Sequence, residues 1–111
     1  MNSKEILQED LNYILKSVSD ELDYLSGKKV LFTGGAGFLG YELSHLFARV
    51  GERGHRDPIQ LFIYDNLVRG TEQWLKKLIC NKNVNLVQHD VTKPIPADAP
   101  DFDYIIHAAS I

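Results

Sequence analysis

Glycines crowd one short segment of the 111-residue chain, Thr33-Gly34-Gly35-Ala36-Gly37-Phe38-Leu39-Gly40. The segment fits two spacings at once, G-x-G-x-x-G from Gly35 and G-x-x-G-x-x-G from Gly34. Without a Cβ, such a loop lets a bulky anion reach the backbone, and the free N–H groups of a following helix attract negative charge. This pattern indicates a site for dinucleotide phosphates, with side chains excluded at Gly35 and Gly37 and close helix–strand packing at Gly40.

A carboxylate follows the next apolar run and could complete the site. Asp65 comes directly after residues 59–64, IQLFIY, which Pro58 precedes. At the end of a second strand, a carboxylate accepts hydrogen bonds from ribose hydroxyls and repels a 2′-phosphate, which favours NAD over NADP. Two alternatives stay open, because Asp65-Asn66 is also a turn-forming pair and Arg69 could serve a 2′-phosphate.

The elements that would position these residues alternate along the chain. Short apolar runs predict strands over about 30–33, 59–64, 84–87 and 104–107, and helical spacing predicts helices over about 38–50 and after Thr71, which could cap the second. Such alternation predicts a parallel α/β sheet of order 3-2-1-4 with both crossover helices on one face. The expected fold is therefore Rossmann-like, half of a doubly wound sheet.

The first 26 residues follow a different pattern. Apolar residues recur at steps of three and four from about Ser3 to Leu25, which predicts one amphipathic helix capped by Ser3 and ended by Ser26-Gly27. We therefore divide the chain into an N-terminal helix, 1–26, and a nucleotide-binding domain, 27–111.

Composition excludes several classes of function. A net charge of -3 and a pI of about 5.7 give no general attraction to nucleic acid, and Arg49, Arg53 and Arg56 are expected in a solvated loop. The single cysteine, Cys80, allows no intrachain disulfide, and no signal peptide or apolar run of about 18 residues is present. We expect a cytoplasmic protein without a membrane span.

Histidine spacing indicates no metal site. The four histidines and one cysteine do not follow the spacing of metal ligands. His45 is expected on a helix surface, and His107 is expected to be packed at a strand end rather than to take part in chemistry.

Four motifs together resemble those of the extended short-chain dehydrogenases/reductases. They are residues 33–40 (T-G-x-x-G-x-x-G), 64–67 (YDNL), 89–91 (HDV) and 107–110 (HAAS), and they cover roughly 28–111 in the family's order. Within this family, the Asp65-Asn66 pair and the segment 107–110 resemble those of nucleotide-sugar dehydratases and decarboxylases more than those of 4-epimerases.

The resemblance implies a role for each matching residue toward NAD. It implies that Asp65 and Asn66 hold the adenosine ribose, that Asp90 and Val91 flank adenine, with Asp90 accepting a hydrogen bond from its amine, and that Ala108 and Ala109 pass under the nicotinamide side. The pyrophosphate loop that it implies consists of Gly34, Gly37, Phe38, Leu39 and Gly40.

The resemblance also implies an activity that this chain does not complete alone. The family oxidises the C4 hydroxyl of a nucleotide-sugar by hydride transfer to NAD, and its catalytic Tyr-x-x-x-Lys lies on a later helix. Tyr24 and Lys28 have that spacing but precede the first strand with Gly27 between them, so we assign them no catalytic role. Two alternatives stay open, a non-catalytic NAD-binding module and an NADP-dependent reductase acting on a non-sugar carbonyl.

The order of elements leaves one face of the expected sheet without helices. A proline-rich connection, with Pro94, Pro96 and Pro100, leads to the last strand, after which the sequence stops. We therefore expect a truncated half-fold with a naked apolar face that favours association, including with a second copy. The N-terminal helix would cover part of that face or pack against another chain.

Overall fold

The fold is described here from a computed structural model that covers residues 2–17, 19–50, 57–68 and 70–109. Eight elements follow one another within these ranges: α1 (Ser3–Ser17), α2 (Ser19–Asp23), β1 (Lys29–Thr33), α3 (Phe38–Ala48), β2 (Gln60–Asp65), α4 (Gln73–Leu78), β3 (Val84–Gln88) and β4 (Tyr104–His107). The alternation of strand and helix predicted for residues 29–88 is confirmed. Arg53, Arg56, Arg69 and Ser110, named above, lie outside the described residues.

The four strands form one parallel sheet in the order β3-β2-β1-β4, as predicted. In register, Thr33 of β1 lies beside Tyr64 of β2 and His107 of β4. The β-branched and aromatic residues of these runs suit a sheet that is buried on both sides at its centre.

The two crossover helices pack on one face of the sheet. Val30 and Phe32 of β1 alternate with Leu31, and their side chains join a core that includes Leu46 and Phe47 of α3. Leu75 of α4 belongs to the same core. This placement of α3 and α4 agrees with the right-handed crossover rule.

The opposite face is only partly open, so the expectation of a naked apolar face holds only in part. Leu31 and Tyr64 on that face are buried, with 1% and 3% of their surface exposed. The ring of Phe102, from the connection between β3 and β4, packs edge-on against Phe62 at a centroid distance of 5.2 Å and against Tyr64 at 6.0 Å. Apolar surface remains exposed on this face at the β4 edge, where Ile105, which pairs with Leu31, is 59% exposed.

The N-terminal region packs on the helical side of the molecule, not on the opposite face. Leu7 and Leu11 of α1 and Leu22 of α2 are buried in the same core as α3. The guanidinium Nη1 of Arg49, at the end of α3, donates to Oε1 of Gln8 at 2.9 Å. The apolar stripe is therefore correctly predicted, but its predicted partner is wrong.

The helix ends also differ from the prediction in detail. Asn2, not Ser3, caps α1: the Glu5 N–H donates to Asn2 Oδ1 at 2.8 Å, and the Asn2 N–H donates to Glu5 Oε2 at 3.0 Å. This reciprocal pair is a capping box. The N-cap of α4 is Glu72 rather than Thr71, and it makes no side-chain capping bond.

The predicted single helix is divided into α1 and α2, and the chain turns after α2. Lys28 donates its backbone N–H to the carbonyl oxygen of Leu25 within this turn, and Gly27 has a φ of 73°. Tyr24 and Lys28 therefore do not share a helical face, which agrees with the absence of a catalytic role. Among the helices described, none combines the length and apolar character needed to cross a bilayer.

Candidate nucleotide-binding site

The predicted site residues come together at the carboxyl edge of the sheet. Backbone bonds connect the strand exits: the Gly34 N–H donates to the Tyr64 carbonyl at 2.8 Å, and the Ala108 N–H donates to the Thr33 carbonyl at 2.9 Å. The His89 N–H donates to the Asp65 carbonyl at 2.9 Å, which adds the exit of β3. In open parallel sheets, ligands bind at this edge, where the connections from β1 and β4 run apart.

Gly40 allows α3 to lie directly on the glycine loop, residues 34–40. A Cβ at Gly40 would overlap the carbonyl oxygen of Gly35 and lie 2.7 Å from its Cα. Because the obstacle is backbone, no side-chain rotation could relieve it. The predicted role of Gly40 in close helix packing is therefore supported by the geometry.

Gly34 and Gly35 are required for packing rather than for ligand access. A Cβ at Gly34, whose φ is 75°, would lie 2.7 Å from the Ala109 nitrogen, and one at Gly35 would lie 2.8 Å from Ile63 Cγ2. The interpretation that Gly35 keeps side chains away from phosphates is thus wrong: its missing Cβ would point into the core above β2. The glycine spacing alone could not reveal this direction.

Gly37 is the glycine that leaves the backbone open. It is exposed, and among the described residues the only atom within 4 Å of its ideal Cβ position, apart from its chain neighbours, is the Gly34 carbonyl oxygen at 3.3 Å. Gly37 is also the N-cap of α3 and makes no side-chain capping bond, so the first N–H groups of α3, from Phe38 to Gly40, have no intrahelical partner. Leu39 in this turn is 64% exposed. Unpaired N–H groups at the start of a helix can bind an anion such as a phosphate.

Asp65 faces the glycine loop, as the ribose-binding prediction requires. Its Oδ2 accepts the Ala36 N–H at 3.3 Å, and its Oδ1 accepts the Leu67 N–H at 2.9 Å. Asn66 is exposed, and its Oδ1 accepts the Val68 N–H at 3.1 Å. The turn-forming alternative is therefore observed, together with a half-buried carboxylate placed beside the loop.

Asp90 and Val91 lie just beyond β3 on the same edge. Asp90 Oδ1 accepts both the Thr92 hydroxyl at 2.7 Å and the Thr92 N–H at 2.9 Å. These two bonds are the main reasons why the pKa of the Asp90 carboxyl lies below its ordinary value, and Lys93 and His89 lower it further. Asp90 is exposed and ionised near neutral pH, so it can accept a hydrogen bond from an exocyclic amine.

Tyr64 forms the apolar support beneath this edge. Its ring lies 5.4 Å from that of His89, between the exits of β2 and β3. Burial, and secondly the negative charge of Asp98, raise the pKa of the Tyr64 phenol above its ordinary value. The phenol is therefore neutral at physiological pH.

The exits of β1 and β4 share a side-chain contact that sequence reasoning missed. Thr33 Oγ1 lies 2.6 Å from Nδ1 of His107, which is exposed, so the expectation that His107 is packed is wrong. Ala108 and Ala109, next along the chain, are half-buried. The sequence contained one signal for this contact: Thr33 and His107 are the last residues of two strands that pair in parallel.

The other singled-out residues lie away from this edge or make different contacts. His45 is half-buried rather than on the surface, with ring centroids 4.8 Å from Tyr41 and 5.4 Å from Trp74. Within the described ranges, no three His, Cys, Asp or Glu side chains are grouped in a way that could hold a metal ion.

The order and register of the sheet define a Rossmann-like parallel α/β fold with its glycine loop at the carboxyl edge. The chain is 35% identical over 86 residues to UDP-glucuronic acid decarboxylase 6 of Arabidopsis thaliana, covering 78% of this chain and 22% of that protein. It is 36% identical over 84 residues to decarboxylase 5 of the same plant, covering 76% and 22%. It is 35% identical over 83 residues to UDP-glucuronic acid decarboxylase 1 of Danio rerio, covering 75% and 18%.

Three quarters of the chain is thus homologous to proteins named as UDP-glucuronic acid decarboxylases. The chain spans about a fifth of the length of these relatives. No family model matches it.

Proposed function

We propose that this chain is the NAD-binding portion of an extended short-chain dehydrogenase/reductase that acts on a nucleotide-sugar. The observation that carries the proposal is the open backbone at Gly37, facing solvent at the start of α3, with the Asp65 carboxylate beside the same loop. The homology to UDP-glucuronic acid decarboxylases supports this assignment and favours decarboxylation over 4-epimerisation or 4,6-dehydration.

The chain's own residues account for binding and orientation. The N–H groups at the start of α3 would hold the pyrophosphate, and Asp65 with Asn66 would hold the adenosine ribose. Asp90 and Val91 would flank adenine, while Ala108 and Ala109 would line the nicotinamide side. When bound, NAD supplies the hydride acceptor for oxidation of the sugar. The catalytic Tyr-x-x-x-Lys would have to come from sequence outside this chain.

Titration of the purified chain with NAD and with NADP tests the proposal by calorimetry. We expect saturable NAD binding and weaker NADP binding, because Asp65 repels a 2′-phosphate. In Gly37→Ala, the added methyl would lie 3.3 Å from the Gly34 carbonyl oxygen, a tight contact that a small shift relieves, and would occupy the space of the anion. NAD binding should therefore fall at least about tenfold, the equivalent of roughly 1.4 kcal/mol.

A matched control uses the same helix. Glu42 is exposed on α3, and Glu42→Ala should leave NAD affinity unchanged. Failure of the folded wild-type chain to bind NAD, or unchanged NAD binding by Gly37→Ala, would contradict the proposal. Tighter binding of NADP than of NAD would instead favour the reductase alternative.

A further inference from the structure

We infer that Thr33 and His107 form a positioning pair that sets the glycine loop for the nicotinamide half of the dinucleotide. The inference rests on the proposed function, because it assigns a role toward the same ligand. Thr33 begins the motif 33–40 and His107 begins the motif 107–110, but neither has been given a role toward NAD above. Both end strands at the point where the connections from β1 and β4 diverge.

The pair doubles the connection between two strand exits that are 74 residues apart in sequence. The Thr33 side chain contacts His107 Nδ1 at 2.6 Å, while the Thr33 carbonyl accepts the Ala108 N–H at 2.9 Å. Thr33 is thereby held through both its side chain and its backbone. A hydroxyl can donate to or accept from an imidazole nitrogen, so the contact exists with either tautomer.

The next residue transmits this constraint to the loop. Gly34 has a φ of 75° and lies so close to residues 108–109 that a Cβ would approach the Ala109 nitrogen to 2.7 Å. The Gly34 carbonyl oxygen in turn accepts the Gly37 N–H at 3.1 Å. A fixed Thr33 therefore determines the orientation of Gly34, and Gly34 determines where the open backbone at Gly37 lies.

Thr33 is buried, with 9% of its surface exposed, but its contact with His107 lies partly exposed at the surface of the molecule. The His107 ring is exposed, so water can replace the Thr33 hydroxyl as its hydrogen-bond partner. Loss of the contact should therefore change global stability little. Its effect should be found in the placement of the loop against Ala108 and Ala109, which lie on the nicotinamide side of the proposed site.

The experiment compares NAD with AMP, which lacks the nicotinamide ribonucleotide, as probes of the folded chain. Thr33→Val is nearly isosteric, and His107→Ala changes an exposed side chain. Each should weaken NAD binding about tenfold, the loss expected for one hydrogen bond that orients a ligand site. AMP keeps one phosphate but lacks the nicotinamide side, so its binding should weaken clearly less, and the thermal midpoint should change little. Ligand-observed NMR measures both affinities.

Two conservative variants and one double variant complete the test. Thr33→Ser keeps the hydroxyl and His107→Asn places an amide near the position of Nδ1, so both should retain most of the NAD affinity. Because the two residues act through one contact, the double variant Thr33→Val/His107→Ala should bind NAD no more weakly than either single variant.

Wild-type NAD affinity in Thr33→Val or His107→Ala overturns the inference. Equal weakening of NAD and AMP overturns it too, because that result is the one expected of a purely structural pair. Failure of the proposed function would appear in the wild-type chain itself, which would not bind NAD. Failure of the positioning role alone would appear only in the variants.

Discussion

Within one short loop, four glycines meet different steric demands. Gly34 allows a left-handed backbone against the exit of β4, Gly35 leaves room for the Ile63 side chain, and Gly40 allows α3 to touch the backbone of Gly35. Gly37 alone leaves space in which a ligand could lie. Substitutions at Gly34, Gly35 and Gly40 are therefore expected to lower the stability of the fold. A substitution at Gly37 is expected to act mainly on ligand binding.

The hydrogen bonds of Asp90 allow a prediction about its acidity. Thr92→Ala removes the hydroxyl that donates to Asp90 Oδ1, the largest cause of the lowered pKa of that carboxyl. The Asp90 pKa should rise toward its ordinary value in this variant. Carboxyl chemical shifts followed by NMR across acidic pH measure the change.

The sign of the pH dependence follows from the same contact. The carboxyl pKa is lower in the folded state, so the contribution to stability is present above the unfolded pKa and is lost as pH falls through the folded pKa. Thr92→Ser keeps the hydroxyl and should titrate like the wild type. An Asp90 pKa that is the same in Thr92→Ala and wild type would show that the hydroxyl has no such effect.

The residue types in the sequence predict where the candidate site residues lie better than they predict what each residue does there. The glycine pattern and Asp65 were located correctly at the exits of β1 and β2, because the carboxyl ends of parallel strands meet at one edge. The role of Gly35 could not be predicted, because the direction of its missing Cβ depends on the packing of Ile63 in β2. The Thr33–His107 contact likewise depends on strand register.

At the scale of elements, the strands were more predictable than the helix ends. The run 104–107 coincides with β4, β1 and β3 each differ from the predicted run by one residue at one end, and β2 differs by one residue at both ends. A continuous apolar run fixes a buried strand, whereas several polar residues near a helix start can serve as its cap. Both Asn2 and Ser3 could have capped α1, and it is Asn2 that forms the capping box with Glu5.

The capping box of α1 predicts a local loss of stability when it is removed. In Asn2→Ala, the Glu5 N–H loses its acceptor, and N-cap substitutions of this kind cost about 1 kcal/mol. Amide hydrogen exchange at Glu5 should accelerate accordingly. Asn2→Ser keeps an acceptor oxygen and should retain most of the protection; equal protection of Glu5 in Asn2→Ala and wild type would contradict the capping role.

At the scale of the whole molecule, α1 is part of the core rather than an appendage. Leu11 is 1% exposed, and its cluster includes residues of α3 and β1. Periodicity predicted that α1 has an apolar face but could not identify what that face contacts, because an apolar stripe fits any apolar surface. Phe102 similarly covers the opposite face of the sheet from a segment without periodic structure.

Truncation of the α1 stripe should therefore destabilise the whole fold. Leu11→Ala leaves a cavity in the core and should lower the free energy of unfolding by about 2–5 kcal/mol, measured in urea. Tyr13, on the same helix, is 74% exposed, and Tyr13→Ala should change it by less than about 0.5 kcal/mol. Similar stabilities for Leu11→Ala and Tyr13→Ala would show that α1 does not contribute to the core.

The order β3-β2-β1-β4 has a consequence for how the chain folds while it is being synthesised. β1 is an inner strand of the sheet, yet one of its two neighbours, β4, is synthesised after both β2 and β3. One side of β1 and the start of the glycine loop therefore lack their final contacts until residues 104–109 have been made. Contacts between residues so distant in sequence form slowly, so the glycine loop reaches its final shape only after β4 has joined the sheet.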